Sequence, residues 1–101
     1  MNPRETLVWL LYDIGDNRCR TRVAKACLEA GLHRVQKSVF LGIIERNALD
    51  ELALRIEDLI DESADSVYVF PLCERDFRKV RTMGMAFDRR LVSGEVKAFF
   101  V

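Results

Sequence analysis

The residue of this sequence best placed to do chemistry is Asp13, which ends an apolar run and is followed by a polar loop. Residues 7–12 are six apolar residues in succession, and Gly15-Asp16-Asn17 comes soon after. A run of this kind, without alternation, is typical of a short strand that is covered on both faces and therefore lies inside its sheet. Asp13 then presents a carboxylate at the carboxyl end of that strand. A carboxylate oxygen is a candidate ligand for Mg²⁺, or for Mn²⁺ in its place.

A single aspartate is too few ligands for a magnesium site, because the ion needs near-octahedral oxygen ligands and usually takes one or two carboxylates. A homodimer whose two-fold axis passes near the end of this strand would let the Asp13 of each protomer share one ion. The ion would lower the pKa of a water and polarise a phosphoryl oxygen. Arg20, Arg22 and Arg34 are the candidates to neutralise phosphates there. The alternative is that Asp13 is an ordinary turn residue at a strand end.

Length and composition favour a single domain over residues 1–101. Half of the residues are hydrophobic, which argues against disorder and allows a core. No apolar run approaches the roughly 20 residues that a membrane helix needs, and the first five residues lack the pattern of a secretion signal. We therefore expect a cytoplasmic protein with no membrane partner. No CxxC pair is present, so we expect Cys19, Cys27 and Cys73 to be small core residues.

The formal net charge of +0 conceals a segregation of charge along the chain. Residues 47–66 contain seven acidic residues and one basic residue, and the stretches on either side are basic. The acidic segment has the apolar period of an amphipathic helix, whose acidic face would repel a phosphate backbone. This charge pattern permits, but does not require, nucleic-acid binding along the basic margins, where the candidate contacts are Arg18, Arg20, Arg22, Arg34, Arg75, Arg78 and Lys79.

Cap residues place the two main helices. Asp16 and Asn17 are good N-cap types for a helix over residues 18–30, and Gly31 is typical of the position just after a helix. In the acidic helix, we expect Asn47 to be the N-cap.

Short β-rich segments account for the rest of the chain. Residues 33–36 and 39–45 predict two strands separated by a bend at Lys37-Ser38. Residues 66–72 predict another, which Pro71 restricts to an edge or to a strand end. A basic loop or short helix is expected over residues 74–79, and a last strand over residues 96–101.

This element order is β-α-β-β-α-β with an additional C-terminal strand, which predicts an α+β domain of the ferredoxin-like type. Two helices cover only one face of such a sheet, yet residues 7–12 and 66–72 are apolar on both faces. Because an exposed apolar patch of that size marks an interface, we expect a face-to-face homodimer. The C-terminal segment, residues 85–101, is expected to be exchanged with the partner protomer or packed on it.

Several strings of the sequence resemble the signature of the CRISPR-associated Cas-two family. They are Tyr12-Asp13-Ile14, then Arg20 and Arg22, and then Arg34-Val35-Gln36-Lys37-Ser38-Val39-Phe40. Residues 65–72 are similar to a later strand of the family. By this matching, Tyr12, Asp13, Arg20, Arg22, Arg34 and Phe40 fall on family motif positions. An acidic residue is frequent in the family after Phe40, whereas this chain has Leu41-Gly42.

The resemblance implies a ferredoxin-like homodimer that bridges dimers of the integrase subunit, Cas-one, in the complex that acquires CRISPR spacers. Some members of the family are described as metal-dependent endonucleases, which would make Asp13 the catalytic magnesium ligand. We therefore expect double-stranded DNA or single-stranded RNA as the nucleic-acid partner.

Three functions stay open at this point: a binding scaffold for integration, cleavage of phosphodiesters at a paired Asp13 site, and a toxin-type ribonuclease of similar fold. Tyr12 and Phe40 are also open to a simpler interpretation as core aromatics.

Overall fold

The apolar strand that ends at Asp13 lies inside an antiparallel sheet, as predicted, and residues 2–84 contribute four strands to this sheet. The strand order is β2-β3-β1-β4, and the strands are β1 (Glu5–Asp13), β2 (His33–Gln36), β3 (Val39–Glu45) and β4 (Ser66–Leu72). The computed structural model describes residues 2–84, so the segment 85–101 and its expected strand lie outside the described residues. The bend at Lys37-Ser38 is confirmed, and within residues 2–84 the strand that contains Pro71 lies at an edge of the sheet, as predicted.

Two long helices pack on one face of the sheet, α1 (Asn17–Glu29) and α2 (Arg46–Leu59). Asp16 caps α1, because its Oδ2 accepts a hydrogen bond from the Cys19 backbone N–H at 2.8 Å. The helix is followed by Gly31 at φ +89°, a left-handed conformation that favours glycine. Neither helix is long and apolar enough to cross a membrane, and the same holds for every helix of residues 2–84.

The predicted N-cap of α2 was wrong. The N-cap position is Glu45, the last residue of β3, and no side chain caps the helix there. The strand runs into the helix without a loop, and the Arg46 N–H donates to the Arg4 carbonyl at 2.8 Å. A main-chain bond therefore fixes the beginning of α2, and Asn47 lies within its first turn.

The main core lies between the sheet and the two long helices. Phe40, Leu10 and Val8 of the sheet are fully buried there against Val23 and Cys27 of α1. Gly42 of β3 lies against Leu32, the residue that precedes β2. A Cβ at Gly42 would lie 3.2 Å from the Leu32 Cα, so a side chain would force these segments apart. This close approach accounts for the glycine, and Leu41 beside it is fully buried on the other face.

A third, short helix, α3 (Glu74–Arg78), covers one end of the second face of the sheet. Its Phe77 is buried against Leu7 and Leu41. The expectation of a bare second face was therefore wrong at this end, because the chain turns back over the sheet after β4. Cys73 is also not a core residue: it is exposed, and its Sγ accepts from the Asp76 N–H at the start of α3.

Among residues 2–84, no helix covers the other end of the second face. The open sheet face is defined here by Leu11 and Asp13 of β1 with Tyr68 and Phe70 of β4. Tyr68 is 56% exposed and Phe70 51% exposed, and their rings stack with centroids 6.2 Å apart. Two adjacent exposed aromatic rings are unusual on a solvated sheet, since large apolar patches mark interfaces.

Candidate functional site

Asp13 lies at the edge of the open sheet face. Successive side chains of a strand point to opposite faces, so Asp13 shares a face with Leu11, and Tyr12 shares the other with Leu10. Asp13 is paired with Ser66 of β4, and its side chain is exposed. None of residues 2–84 donates a hydrogen bond to its carboxylate or forms an ion pair with it. The carboxylate is therefore available to a ligand from outside this part of the chain.

The loop that follows Asp13 is held by side-chain bonds. The Arg20 Nη1 donates to the carbonyl oxygens of Ile14 at 3.1 Å and Gly15 at 3.4 Å. The Gly15 N–H donates in turn to Asp65 Oδ1 at 3.3 Å. These bonds fix the backbone just after β1, so the position of Asp13 is set from both sides by the sheet and by the loop.

The donor chemistry at Asp13 fits a hard divalent cation, but the number of carboxylate donors that residues 2–84 supply there does not. No group of three or more His, Cys, Asp or Glu residues that could hold a metal ion occurs within residues 2–84. Two nearby acids have other contacts: Asp16 caps α1, and Asp65 also accepts from the Asp61 N–H at 2.9 Å. Further ligands for Mg²⁺ or Mn²⁺ at Asp13 must therefore come from outside residues 2–84, for example from water, a phosphate or a second copy of the chain.

Tyr12, Arg20 and Arg34 come together on the opposite side of the sheet from Asp13. They line a cavity of about 670 Å³ between α1 and the β2–β3 turn, which we name the basic cleft. Its lining residues are Tyr12, Asn17, Arg20, Thr21, Ala24, Lys25, Leu28, Arg34, Lys37 and Ser38. The family motif thus contributes to two separate places, with Asp13 at one and the tyrosine and two arginines at the other.

A single backbone carbonyl organises one wall of the basic cleft. The Lys37 oxygen accepts from the Tyr12 hydroxyl at 3.2 Å, and from Arg34 Nε and Nη2 at 3.1 Å and 2.6 Å. The Arg34 guanidinium carbon also lies 5.6 Å from the centroid of the Phe40 ring, within range of a cation–π interaction. Arg34 is therefore held in one orientation at the mouth of the turn.

Tyr12 and Phe40 are core residues, which confirms the simpler interpretation of both. Phe40 is fully buried and Tyr12 is 6% exposed, and their rings stack with centroids 6.1 Å apart. Burial raises the pKa of the Tyr12 hydroxyl, and the nearby charge of Arg34 partly opposes this shift. The phenol therefore stays protonated and donates its hydrogen bond at neutral pH.

The seven basic residues predicted to contact nucleic acid fall into three groups. Arg20 and Arg34 line the basic cleft, while Arg18 and Arg22 are exposed beside it on α1 and line a shallow depression with Asn17 and Thr21. The third group lies at α3, on the second face of the sheet, and consists of Arg75, Arg78 and Lys79. Arg78 is paired there with Glu74.

Two cations of the basic cleft, Lys25 and Lys37, were missed by the sequence analysis. Lys37 lies in the motif string, between the two strands. Lys25 lies four residues after Thr21, so these residues share a helix face. That spacing was the available signal, and it gains meaning only when β2 and the turn are placed beside α1.

The chain is thus a small α+β protein of the ferredoxin-like type, with a carboxylate at a strand end and a separate basic cleft. Residues 6–80 match the family model described as CRISPR associated protein Cas2. This match covers most of the chain, and the chain belongs to the Cas2 family of CRISPR-associated proteins. Membership of this family indicates a function in a CRISPR system, and it does not favour the alternative of a toxin-type ribonuclease.

Individual relatives support the same assignment. The chain is 39% identical over 84 residues to the CRISPR-associated endonuclease Cas2 of Halalkalibacterium halodurans. This alignment covers 77% of this chain and 85% of the relative. It is 38% identical over 80 residues to the CRISPR-associated endoribonuclease Cas2 of Korarchaeum cryptofilum, with 76% and 83% covered. The crystal structure of Streptococcus pyogenes Cas2 at pH 6.5 matches with a TM-score of 0.69 and 30% identity, over 77% of this chain and 99% of that chain.

Proposed function

We propose that this chain is the dimeric, nucleic-acid-binding subunit that bridges dimers of the integrase subunit, Cas-one, in CRISPR spacer acquisition in the cytoplasm. The observation that carries the proposal is the open sheet face. Its exposed Tyr68 and Phe70 lie beside the half-buried Leu11 and directly across from the strand that ends in Asp13. Contact between two such faces would cover the aromatic rings and bring two copies of Asp13 to one interface.

The homodimer has a second proposed element. Within residues 2–84, β4 has β1 as its single neighbour, so its outer edge offers unpaired backbone groups. We propose one domain over residues 1–101 whose segment 85–101 is exchanged with the partner protomer or packed on it. Residues 96–101 have the apolar, β-rich composition that suits pairing with a sheet edge.

Double-stranded DNA, or single-stranded RNA, would lie along the basic groups of the dimer. Arg18 and Arg22 on α1 and Arg75 and Lys79 on α3 are exposed, as phosphate contacts need to be. The acidic residues of α2 keep a polyanion away from the outer helix layer, because like charges repel. Binding of this kind is expected to weaken steeply with salt, since each phosphate contact releases condensed counterions.

Cleavage of phosphodiesters is the second candidate function, and it is favoured by the exposed Asp13 carboxylate and by relatives that carry the names endonuclease and endoribonuclease. Such nucleases typically use a divalent metal. The Asp13 carboxylates of the two protomers would hold Mg²⁺ or Mn²⁺. When bound, such an ion lowers the pKa of a coordinated water and polarises a phosphoryl oxygen. Asp13 is the catalytic residue of this second function, and neighbouring arginines would hold the phosphates.

One comparison of variants separates the two functions. Asp13→Ala should abolish Mg²⁺-stimulated cleavage while binding of a DNA duplex and assembly with the integrase subunit persist. The double variant Arg18→Glu and Arg22→Glu should instead weaken duplex binding by about tenfold or more, since it reverses two charges beside the backbone. Cleavage that survives Asp13→Ala would overturn the role of Asp13, and a wild-type protein that cleaves nothing with either metal would overturn the enzyme function. A monomer that binds neither duplex nor integrase subunit would overturn the bridging role.

A further inference from the structure

The basic cleft has a composition that nucleic-acid binding along exposed margins does not explain. Four cationic side chains from three elements line it: Arg20 and Lys25 of α1, Arg34 of β2, and Lys37 of the following turn. None of the described residues that line it is acidic. We propose that the basic cleft is a binding site for a terminal phosphate monoester, carried by the end of a nucleic-acid strand or by a free nucleotide.

Both guanidinium groups of the cleft are fixed in place without using all of their donors. Arg34 donates two bonds to the Lys37 carbonyl, and Arg20 donates from one nitrogen to the loop after β1. A guanidinium has five N–H donors in a planar fork, so each retains N–H groups for an anion. Because these side chains are already oriented, binding a phosphate would cost little side-chain entropy.

Glu29, at the end of α1, forms its shorter ion pair with Arg55 of α2, which does not line the cleft. Glu29 Oε2 lies 2.7 Å from Arg55 Nη1 of α2, whereas Glu29 Oε1 lies 3.9 Å from Lys25 Nζ. The hydrogen bond from Arg55, above all, lowers the pKa of the Glu29 carboxyl. Arg55 thus draws the carboxylate toward the helix–helix contact. Four cations that face one cavity repel each other, and a bound anion would relieve that repulsion.

A phosphate monoester suits the cleft better than the diesters of a continuous strand. A monoester carries a charge of about −1.5 to −2 at pH 7 and three terminal oxygens, whereas each diester carries one negative charge. A cavity of about 670 Å³ is also large enough for the sugar or base attached to a phosphate, since ligand pockets span roughly 300–1,000 Å³.

The proposed site is independent of the metal site, because Asp13 lies on the opposite face of the sheet. Binding of a phosphate at the end of a nucleic-acid strand rests on the proposed function, whereas binding of a free nucleotide does not depend on it. Both ligands present the same phosphate monoester, and the test distinguishes them.

The test compares ligands that differ in one phosphate group, with the full chain. Fluorescence anisotropy would measure binding of a short oligonucleotide with a 5′-phosphate, a 3′-phosphate or hydroxyl ends, and calorimetry would compare AMP with adenosine. We expect a phosphorylated end to bind about tenfold more tightly than the hydroxyl ends, as befits charge-assisted bonds. The double variant Lys25→Gln and Lys37→Gln removes two of the four cations and should reduce this preference severalfold. Arg46→Gln, an exposed cation of α2 that does not line the cleft, is the matched control and should retain it.

Each outcome decides a separate point. Equal binding of AMP and adenosine together with equal binding of all three oligonucleotides would overturn the proposal, even if the protein binds nucleic acid well. A preference that is undiminished in the Lys25 and Lys37 double variant would overturn the assignment to this cleft. Binding of AMP by a protein that fails to bind nucleic acid would support the free-nucleotide source while the proposed function fails. A preference confined to oligonucleotides would identify the strand end as the ligand.

Discussion

Tyr12 and Asp13 are consecutive residues of β1, yet their side chains lie on opposite faces of the sheet. Tyr12 is buried on the helix side, where it contributes to the basic cleft, and Asp13 is exposed at the open sheet face. The pleat of the strand makes this unavoidable, because neighbouring side chains point in opposite directions. One short motif therefore serves two sites, and a shift of the β1 register by one residue would exchange its two side chains.

The first prediction concerns the carbonyl that Tyr12 shares with Arg34. Tyr12→Phe removes one hydrogen bond to the Lys37 oxygen while Arg34 still satisfies that acceptor. We expect the free energy of unfolding to fall by about 0.5–1.5 kcal/mol, the net value of one hydrogen bond. Urea unfolding monitored by circular dichroism measures this loss. Tyr68→Phe, at an exposed position, is the control for removal of a hydroxyl.

Arg34 provides the check on this interpretation. If both side chains act on one carbonyl, Tyr12→Phe and Arg34→Ala should be non-additive, whereas Tyr12→Phe and Arg46→Ala should add within about 0.5 kcal/mol. Additive effects for the first pair would show that the shared acceptor is not important for stability.

The sequence predicted the strands better than it predicted what covers them. The runs at residues 33–36, 39–45 and 66–72 were predicted with the observed boundaries, since β-rich composition and turn residues are local signals. The cap of α2 was wrong because a main-chain bond from Arg46 to Arg4 fixes that end. The contact of Phe77 with Leu7 and Leu41 was missed as well, because nothing local to residues 74–79 shows which surface they cover.

For the candidate sites as well, features that depend on local sequence were predicted and features that depend on packing between elements were not. Asp13 was predicted as an exposed carboxylate at a strand end because the apolar run stops there. The grouping of Lys25 with Lys37 was not predicted, since the two residues meet only when α1 packs beside the β2–β3 turn. Clusters of charge that depend on packing between elements leave no mark in a single sequence.

The second prediction concerns the open sheet face. Tyr68→Ser combined with Phe70→Ser should shift the protein from dimer toward monomer in analytical ultracentrifugation, because the proposed interface loses its two largest exposed apolar side chains. The matched control is Leu54→Ser on the outer face of α2, which is 63% exposed and lies on the other layer. A Leu54 variant that dissociates as readily would place the interface on the helices instead.

The third prediction concerns Asp16, the N-cap of the helix α1 that contains Arg18 and Arg22. Asp16→Ala removes the acceptor for the Cys19 N–H, and loss of an N-cap typically costs about 0.5–2 kcal/mol. Asp16→Asn keeps an acceptor and should cost much less. Because Arg18 and Arg22 follow directly in the first turns, the alanine variant should also lose affinity for duplex DNA. Full stability of Asp16→Ala in thermal unfolding would contradict the capping role.

The last prediction is a loss of stability at alkaline pH through Cys27. Burial raises the pKa of this thiol from 9.0 to about 12, so the folded protein keeps the proton over a range in which the unfolded chain releases it. The raised pKa therefore contributes stability that is fully present below pH 9 and is lost as the pH rises toward 12. While only the unfolded state is ionised, the free energy of unfolding should fall by up to about 1.4 kcal/mol per pH unit.

Comparison of two variants isolates this contribution from other groups that titrate in the same range. Cys27→Ala removes the thiol, so its free energy of unfolding should fall less steeply between pH 9 and 11 than that of the wild type. Val23→Ala, at another fully buried position of α1, also leaves a cavity but should retain the wild-type slope. Urea unfolding at several pH values gives both slopes. Identical slopes for Cys27→Ala and wild type would mean that the buried thiol ionises as readily in the folded protein as in the unfolded chain, and that the core at α1 is open to hydroxide.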